Sequence, residues 1–204
     1  MKHVIGKDAG GSPEVGFFYL ITTGQGLFTK VVQFFLRRPN VKKAASHTAG
    51  SFLIYGARVV WGVGGSGGAM DSWDHFCKHN EVNAILRPTD GELAVDVTAR
   101  DVIKELVEKY LDLEYDYWAA GSTATQNRLP WLWSKIKRWA RKWFGMKKVH
   151  CTEVWKKLLE DHGYQMPAED ADTVDYWDIT KVMLQSGEWE ITWKQEGFQL
   201  PEGR

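Results

Sequence analysis

The run Val149-His150-Cys151-Thr152-Glu153-Val154-Trp155-Lys156-Lys157-Leu158-Leu159 constrains this chain most. It reads as the opening turns of an amphipathic helix with a cysteine in its first turn. Val154, Trp155, Leu158 and Leu159 fall at i, i+1, i+4 and i+5, so one face can bury, and Gly163 is a stop signal. A thiol in the first turn lies at the positive end of the helix dipole, close to unpaired backbone N–H groups. Both effects favour thiolate over thiol. A nucleophile also needs a base, and the best candidate lies far upstream: His47, in Ala45-Ser46-His47-Thr48-Ala49-Gly50.

The 204 residues suffice for one domain with a real core. Lys+Arg and Asp+Glu both number 26, so net charge names no partner. The local distribution says more: Arg128 to Lys148 holds eight Lys/Arg and no Asp or Glu, and five of the eleven tryptophans fall in or beside that run. With only two cysteines, Cys77 and Cys151, no disulfide framework is expected, and two thiols fit a reducing compartment. Lys2 and Lys7 are followed by Gly10-Gly11-Ser12-Pro13 rather than an apolar core, so no secretory signal is expected. No apolar run is long enough to span a bilayer. The default expectation is a soluble, cytoplasmic protein; a phage or exported component would read the same.

Residues 1–14 form a loose entry segment. Val15–Thr22 reads as a strand bounded by Gly24 and Gly26, and Leu27–Arg38 as a helix ended by Pro39. His47 opens a strand through Tyr55, Gly56 turns it, and Arg58–Val63 returns as a hairpin. Gly64–Gly68 lacks the Lys and Ser/Thr of a phosphate-binding loop and reads as a flexible connector. A strand over Asn83–Pro88, a helix over about Ala99–Leu113, a helix capped by Asp178 through Leu184, and a strand over Glu188–Trp193 complete the outline. No internal repeat or linker divides the chain, so residues 1–204 form one domain.

Two further stretches invite chemistry. In His75-Phe76-Cys77-Lys78-His79, a strand would put His75, Cys77 and His79 on one face, yet the spacing is no familiar zinc pattern and no second cluster completes it. Surface histidines beside a buried Cys77 are the plainer reading, and neither metal nor cofactor is expected. The basic run carries Ile136, Trp139, Ala140, Trp143 and Phe144 on one face, with Lys137, Arg138 and Arg141 elsewhere. Such a helix either contacts an anionic membrane surface through Lys137, Arg138, Trp139, Arg141 and Trp143, or packs its tryptophans into the core and leaves the basic side in water. Net neutrality and the lack of a binding motif argue against nucleic acid.

A cysteine hydrolase needs a thiolate, an imidazole within reach, a group to orient it, and donors for the oxyanion. Cys151 and His47 supply the first two. The same residues also admit a small core cysteine and a surface histidine.

The order of motifs resembles the YiiX-like branch of permuted NlpC/P60 hydrolases. That branch carries a Gly-Asp strand, an amphipathic helix, a Ser-His-Val/Thr-Ala/Gly motif, a Tyr-Asp-Tyr segment and a Cys-Ser-Glu-Leu/Val helix. Here Val15–Leu20, Thr29–Phe35, Ser46-His47-Thr48-Ala49, Tyr115-Asp116-Tyr117 and Cys151-Thr152-Glu153-Val154 stand in those places, over roughly residues 15–190. The resemblance implies an α+β, circularly permuted papain-like fold, with an antiparallel sheet or small barrel packed against helices. It also implies Cys151 as nucleophile and His47 as base, in a hydrolase or acyltransferase acting on a small-molecule, peptide or lipid acyl substrate. Two positions depart from the pattern. Phe17 replaces the usual Asp, and Trp61 falls near the place of the polar residue that orients the imidazole, which an indole cannot do. Tyr55, Ser66, Asp71 or a backbone carbonyl are the substitutes to weigh. Tyr117 or Tyr115 could give a second oxyanion donor, or pack against the core with hydroxyls in water. The alternative function is a weak or inactive family member that binds a lipid or cell-envelope ligand through the basic Trp-rich helix.

Overall fold

In the computed structural model, the described residues are 16–36, 41, 43–54, 56–64, 67–111, 114–115, 148–169 and 174–202. They form an α+β structure around one antiparallel sheet. Its strands are β1 (Phe17–Gly24), β2 (His47–Ile54), β3 (Ala57–Gly64), β4 (Gly67–Ser72), β5 (Asn80–Pro88) and β8 (Trp189–Lys194). The spatial order is β4-β3-β2-β1-β5-β8, so the sheet is open, with β4 and β8 at its edges. A second, two-stranded sheet pairs β6 (Glu114–Tyr115) with β7 (Lys148–Val149) in parallel. The helices are α1 (Leu27–Leu36), α2 (Trp73–His79), α3 (Asp96–Tyr110), α4 (Cys151–Asp161) and α5 (Tyr176–Ser186).

β1 lies mid-sheet, between β2 and β5. Its apolar run is continuous because both faces bury. Phe17, Tyr19 and Ile21 join Phe52, Trp61 and Val63 on one face, where Val102 and Leu106 of α3, Val154, Trp155, Leu158 and Leu159 of α4, and Ile179 and Met183 of α5 cover them. Phe18 and Leu20 join Ala49, Val60, Val82 and Ile85 on the other, covered by Phe76 of α2.

The amphipathic reading of the cysteine helix holds: all four of its apolar positions are fully buried. Trp155 is the pivot. Its ring lies 5.5 Å from Phe17 and 5.5 Å from Trp61, the latter edge-on. A Cβ at Gly50 would fall 2.2 Å from this indole, so the absence of a side chain there lets α4 lie against β2. Gly163, at φ +82°, follows the helix end as expected.

Three local expectations are corrected. Gly64–Gly68 is no free connector: Gly64 pairs with Gly67 and the chain runs on into β4. His75–His79 lies on a helix, not a strand, because Ser72 caps it by accepting the His75 N–H. The last helix is capped by Asp175 rather than Asp178, whose carboxylate instead accepts the Asp175 N–H, the reciprocal half of a capping box. No helix of the described residues is long and apolar enough to cross a membrane.

Candidate active site

β2 and α4 begin side by side. His47 is the first residue of β2 and Cys151 the first of α4. The start of β2 is held by local bonds: Ser46 N–H donates to the Thr22 carbonyl (3.1 Å), the Thr22 hydroxyl donates to the His47 carbonyl (3.3 Å), and Gly24 N–H donates to the Ser46 hydroxyl (3.3 Å). The start of α4 is held by His150, only 2 % exposed, whose Nδ1 accepts the Glu153 N–H at 3.0 Å. That bond leaves the ring proton of a neutral His150 on Nε2. The Thr152 hydroxyl donates to the Val174 carbonyl (2.9 Å), tying the helix start to the segment that leads into α5.

Between these anchors the Cys151 thiol and the His47 imidazole come together at one cleft, near enough for the ring to act on the ionisation of the sulfur. Burial opposes ionisation of the sulfur. The charge and hydrogen bond of His47 outweigh it, with help from His150 and from the Thr48 N–H, which donates to the sulfur. The net result holds the thiol down to about 6, from an ordinary value of 9. Cys77 moves the other way: burial, then the nearby Asp74 carboxylate, pushes it up to about 11. It is half-buried, not buried as expected.

Cys151 and His47 line one small cleft that is partly open to solvent. Val32 and Leu36 of α1 give it apolar lining, and His150, Asp175 and Tyr176 line it as well. The N–H groups of Cys151 and Thr152 belong to the first turn of α4 and have no intrahelical acceptor. A thiol held toward its ionised form, an imidazole beside it, and helix N–H donors together can perform nucleophilic acyl chemistry.

Among the described residues, no orienting side chain is found at the strand position near Trp61. Trp61 points into the core, edge-on to Trp155 and to Tyr110. Gly62 is the residue against the imidazole, where a Cβ would stand 3.2 Å from Nε2. Asp71 is engaged elsewhere, accepting from or pairing with His75 Nδ1 at 2.8 Å. Among the described residues no other side chain hydrogen-bonds the His47 ring. Tyr55, Ser66, Tyr117 and the Trp-rich residues Lys137, Arg138, Trp139, Arg141 and Trp143 lie outside the described residues. So does the Tyr115 side chain, although the Tyr115 backbone pairs with Val149, two residues before the cysteine. His75 and His79 meet edge to face with ring centres 4.9 Å apart, and no group of three metal-ligating side chains occurs among the described residues.

Sequence reasoning passed over His150, Thr48, Asp175 and Tyr176. The signal for Asp175 was present: Asp175 and Asp178 have capping-box spacing. His150 as a helix cap and Thr48 as a backbone donor have no comparable signature. No protein-family model matches the chain, and no curated protein matches it significantly.

Proposed function

We propose that the protein is a thiol hydrolase or acyltransferase of permuted NlpC/P60 type, which cleaves an amide or ester through an acyl-Cys151 intermediate. The observation that carries this reading is the Cys151–His47 pair at the head of a helix, lining one partly open cleft. The thiolate adds to the substrate carbonyl. The Cys151 N–H and the first turn of α4 hold the oxyanion. Protonated His47 gives its proton to the leaving amine or alcohol as the tetrahedral adduct collapses to the thioester. His47 then takes a proton from water or an acceptor alcohol or amine, which attacks the thioester and frees the sulfur.

The test is chemical. The parent chain, Cys77→Ser, Cys151→Ala and His47→Ala are reacted with iodoacetamide and with p-nitrophenyl acyl esters at pH 6–7. Expected are preferential alkylation of Cys151 over Cys77, a stoichiometric nitrophenolate burst, and an acyl adduct on Cys151 by mass spectrometry. Equal alkylation of the two cysteines, unaffected by His47→Ala, would refute the proposal.

The glycine beside the imidazole favours a second reading. A histidine with no orienting side chain among the described residues would form the acyl-enzyme but resolve it slowly, as in a weak or inactive relative that serves to bind a lipid or cell-envelope ligand. A burst followed by negligible steady-state turnover distinguishes this from a working hydrolase.

A further inference from the structure

A chain of side-chain hydrogen bonds that the mechanism above does not use runs to the segment leading into His47. It passes through Asn83, which is fully buried in β5 among Val82, Ala84, Ile85 and Leu86. A buried amide is tolerated when it is paired, and both ends of this one are. Its Oδ1 accepts the Thr23 hydroxyl at 2.7 Å, and its Nδ2 donates to Gln195 Oε1 at 3.0 Å. The chain continues in both directions. The Thr23 hydroxyl oxygen accepts from Gln33 Nε2 of α1 at 3.3 Å, and the same nitrogen donates to the Ala44 carbonyl at 2.7 Å. On the other side, Gln195 Oε1 also accepts from Lys43 Nζ at 3.0 Å, and that ammonium reaches Glu81 Oε1 at 2.8 Å. Both branches therefore close on Lys43 and Ala44, just ahead of His47.

Gln33 joins the cleft wall to the base. It follows Val32, which lines the cleft with Leu36, and its amide holds the carbonyl three residues before His47. A side-chain amide has two protons to give, and Gln33 directs one to the lead-in segment and one to β1. β1 is itself bound to that segment, through Ser46 N–H to the Thr22 carbonyl and Gly24 N–H to the Ser46 hydroxyl. We infer that Gln33 is a positioning residue for His47: its amide fixes α1, the end of β1 and the segment 44–47 in one arrangement, and so sets where the imidazole stands beside Cys151. A satisfied, partly buried polar network specifies one geometry where apolar packing admits several. Release of the segment would let the ring drift, and a shift of about 1 Å in a reacting group costs on the order of 100-fold in rate. The inference rests on the nucleophile–base reading above and adds to it a residue outside the cleft lining.

The test is the pH profile of alkylation by iodoacetamide, followed separately at Cys151 and Cys77 by mass spectrometry, in the parent chain and in Gln33→Met. Methionine keeps the length and the helix preference but has no proton to give. The expected result is a Cys151 midpoint raised by about one pH unit, a roughly tenfold loss of thiolate below the midpoint, with Cys77 reacting at its parental rate. Loss of a merely structural contact would lower the melting temperature and leave the Cys151 midpoint where it was. A folded Gln33→Met with an unmoved or lowered midpoint overturns the inference and leaves the nucleophile reading intact. A parent chain whose Cys151 midpoint is that of an ordinary thiol overturns both. Should Gln33→Met fail to fold, Gln33→Glu replaces it: the ionised carboxylate keeps the shape, cannot donate to the Ala44 carbonyl, and is held to the same outcomes. Failure of both variants to fold makes Gln33 a residue of fold stability and overturns the positioning role.

Discussion

Gly62 lies against the His47 ring, so that a methyl group on it would stand 3.2 Å from Nε2 and 3.5 Å from the Ala49 Cβ. The imidazole is thus seated on a bare stretch of β3, and its placement depends on that residue staying small. We expect Gly62→Val to keep the fold, since valine suits a strand, while pushing the ring off the sulfur. Misplacement of a reacting group by about an ångström costs on the order of 100-fold in rate. Alkylation of Cys151 at pH 6.5 should fall at least tenfold by comparison, and an unaltered rate would show that the ring does not depend on this contact.

The depressed thiol links stability to pH. A group that ionises near 6 in the folded chain and near 9 when unexposed to these partners contributes nothing well below 6. Its contribution grows between the two values and is complete above 9. The stability gap between the parent and Cys151→Ser should therefore widen as pH rises from 6 to 8.5, by at most about 1.4 kcal/mol per unit. Urea unfolding at several pH values measures it. A gap that is flat or shrinks with rising pH contradicts the thiolate.

Gly50 gives α4 its seat. A Cβ there would meet Trp155 at 2.2 Å and Phe17 at 2.7 Å, and neither ring has room to withdraw, both being fully buried. Overpacking of this kind costs about 1–3 kcal/mol. Gly50→Ala should lower the melting temperature by several degrees. It should also shift α4 and slow Cys151 alkylation, so that stability and reactivity fall together.

Asp175 couples the last helix to the site. It accepts two N–H groups of α5, while the neighbouring Val174 carbonyl holds the Thr152 hydroxyl of α4. Asp175→Ala should cost about 0.5–2 kcal/mol through the lost cap. Asp175→Asn, which keeps a capping oxygen, should recover most of that in thermal unfolding. Equal losses for the two variants would place the effect on charge rather than on capping.

Elements with a strong period were legible. Apolar spacing marked α3 and α4, and continuous burial on both faces marked β1. The β2–β3 hairpin announced itself by apolar runs around Gly56. Where the period was weak, legibility failed. β4 is Gly67-Gly68-Ala69-Met70-Asp71-Ser72, with no alternation to read, and exists because β3 offers it an edge. α2 is a seven-residue helix whose His-x-Cys-x-His pattern imitates a strand until the Ser72 cap is seen. The resemblance put the orienting position near Trp61, but a one-residue offset between paired strands moves a side chain to the opposite face. Gly62, not Trp61, shares the face of Ala49.

The sequence by itself determined that Cys151 would open a helix buried along Val154, Trp155, Leu158 and Leu159, since capping and amphipathic period are local properties of a few adjacent residues. It also singled out His47 as the first residue of a strand. Only the tertiary structure decided that β2 and α4 begin together, that the sulfur meets an imidazole and the Thr48 N–H, and that Gly62 stands against the imidazole. Those outcomes depend on strand order, on register and on Trp155 finding the bare backbone of Gly50. Such contacts join distant segments, and no short-range pattern encodes them.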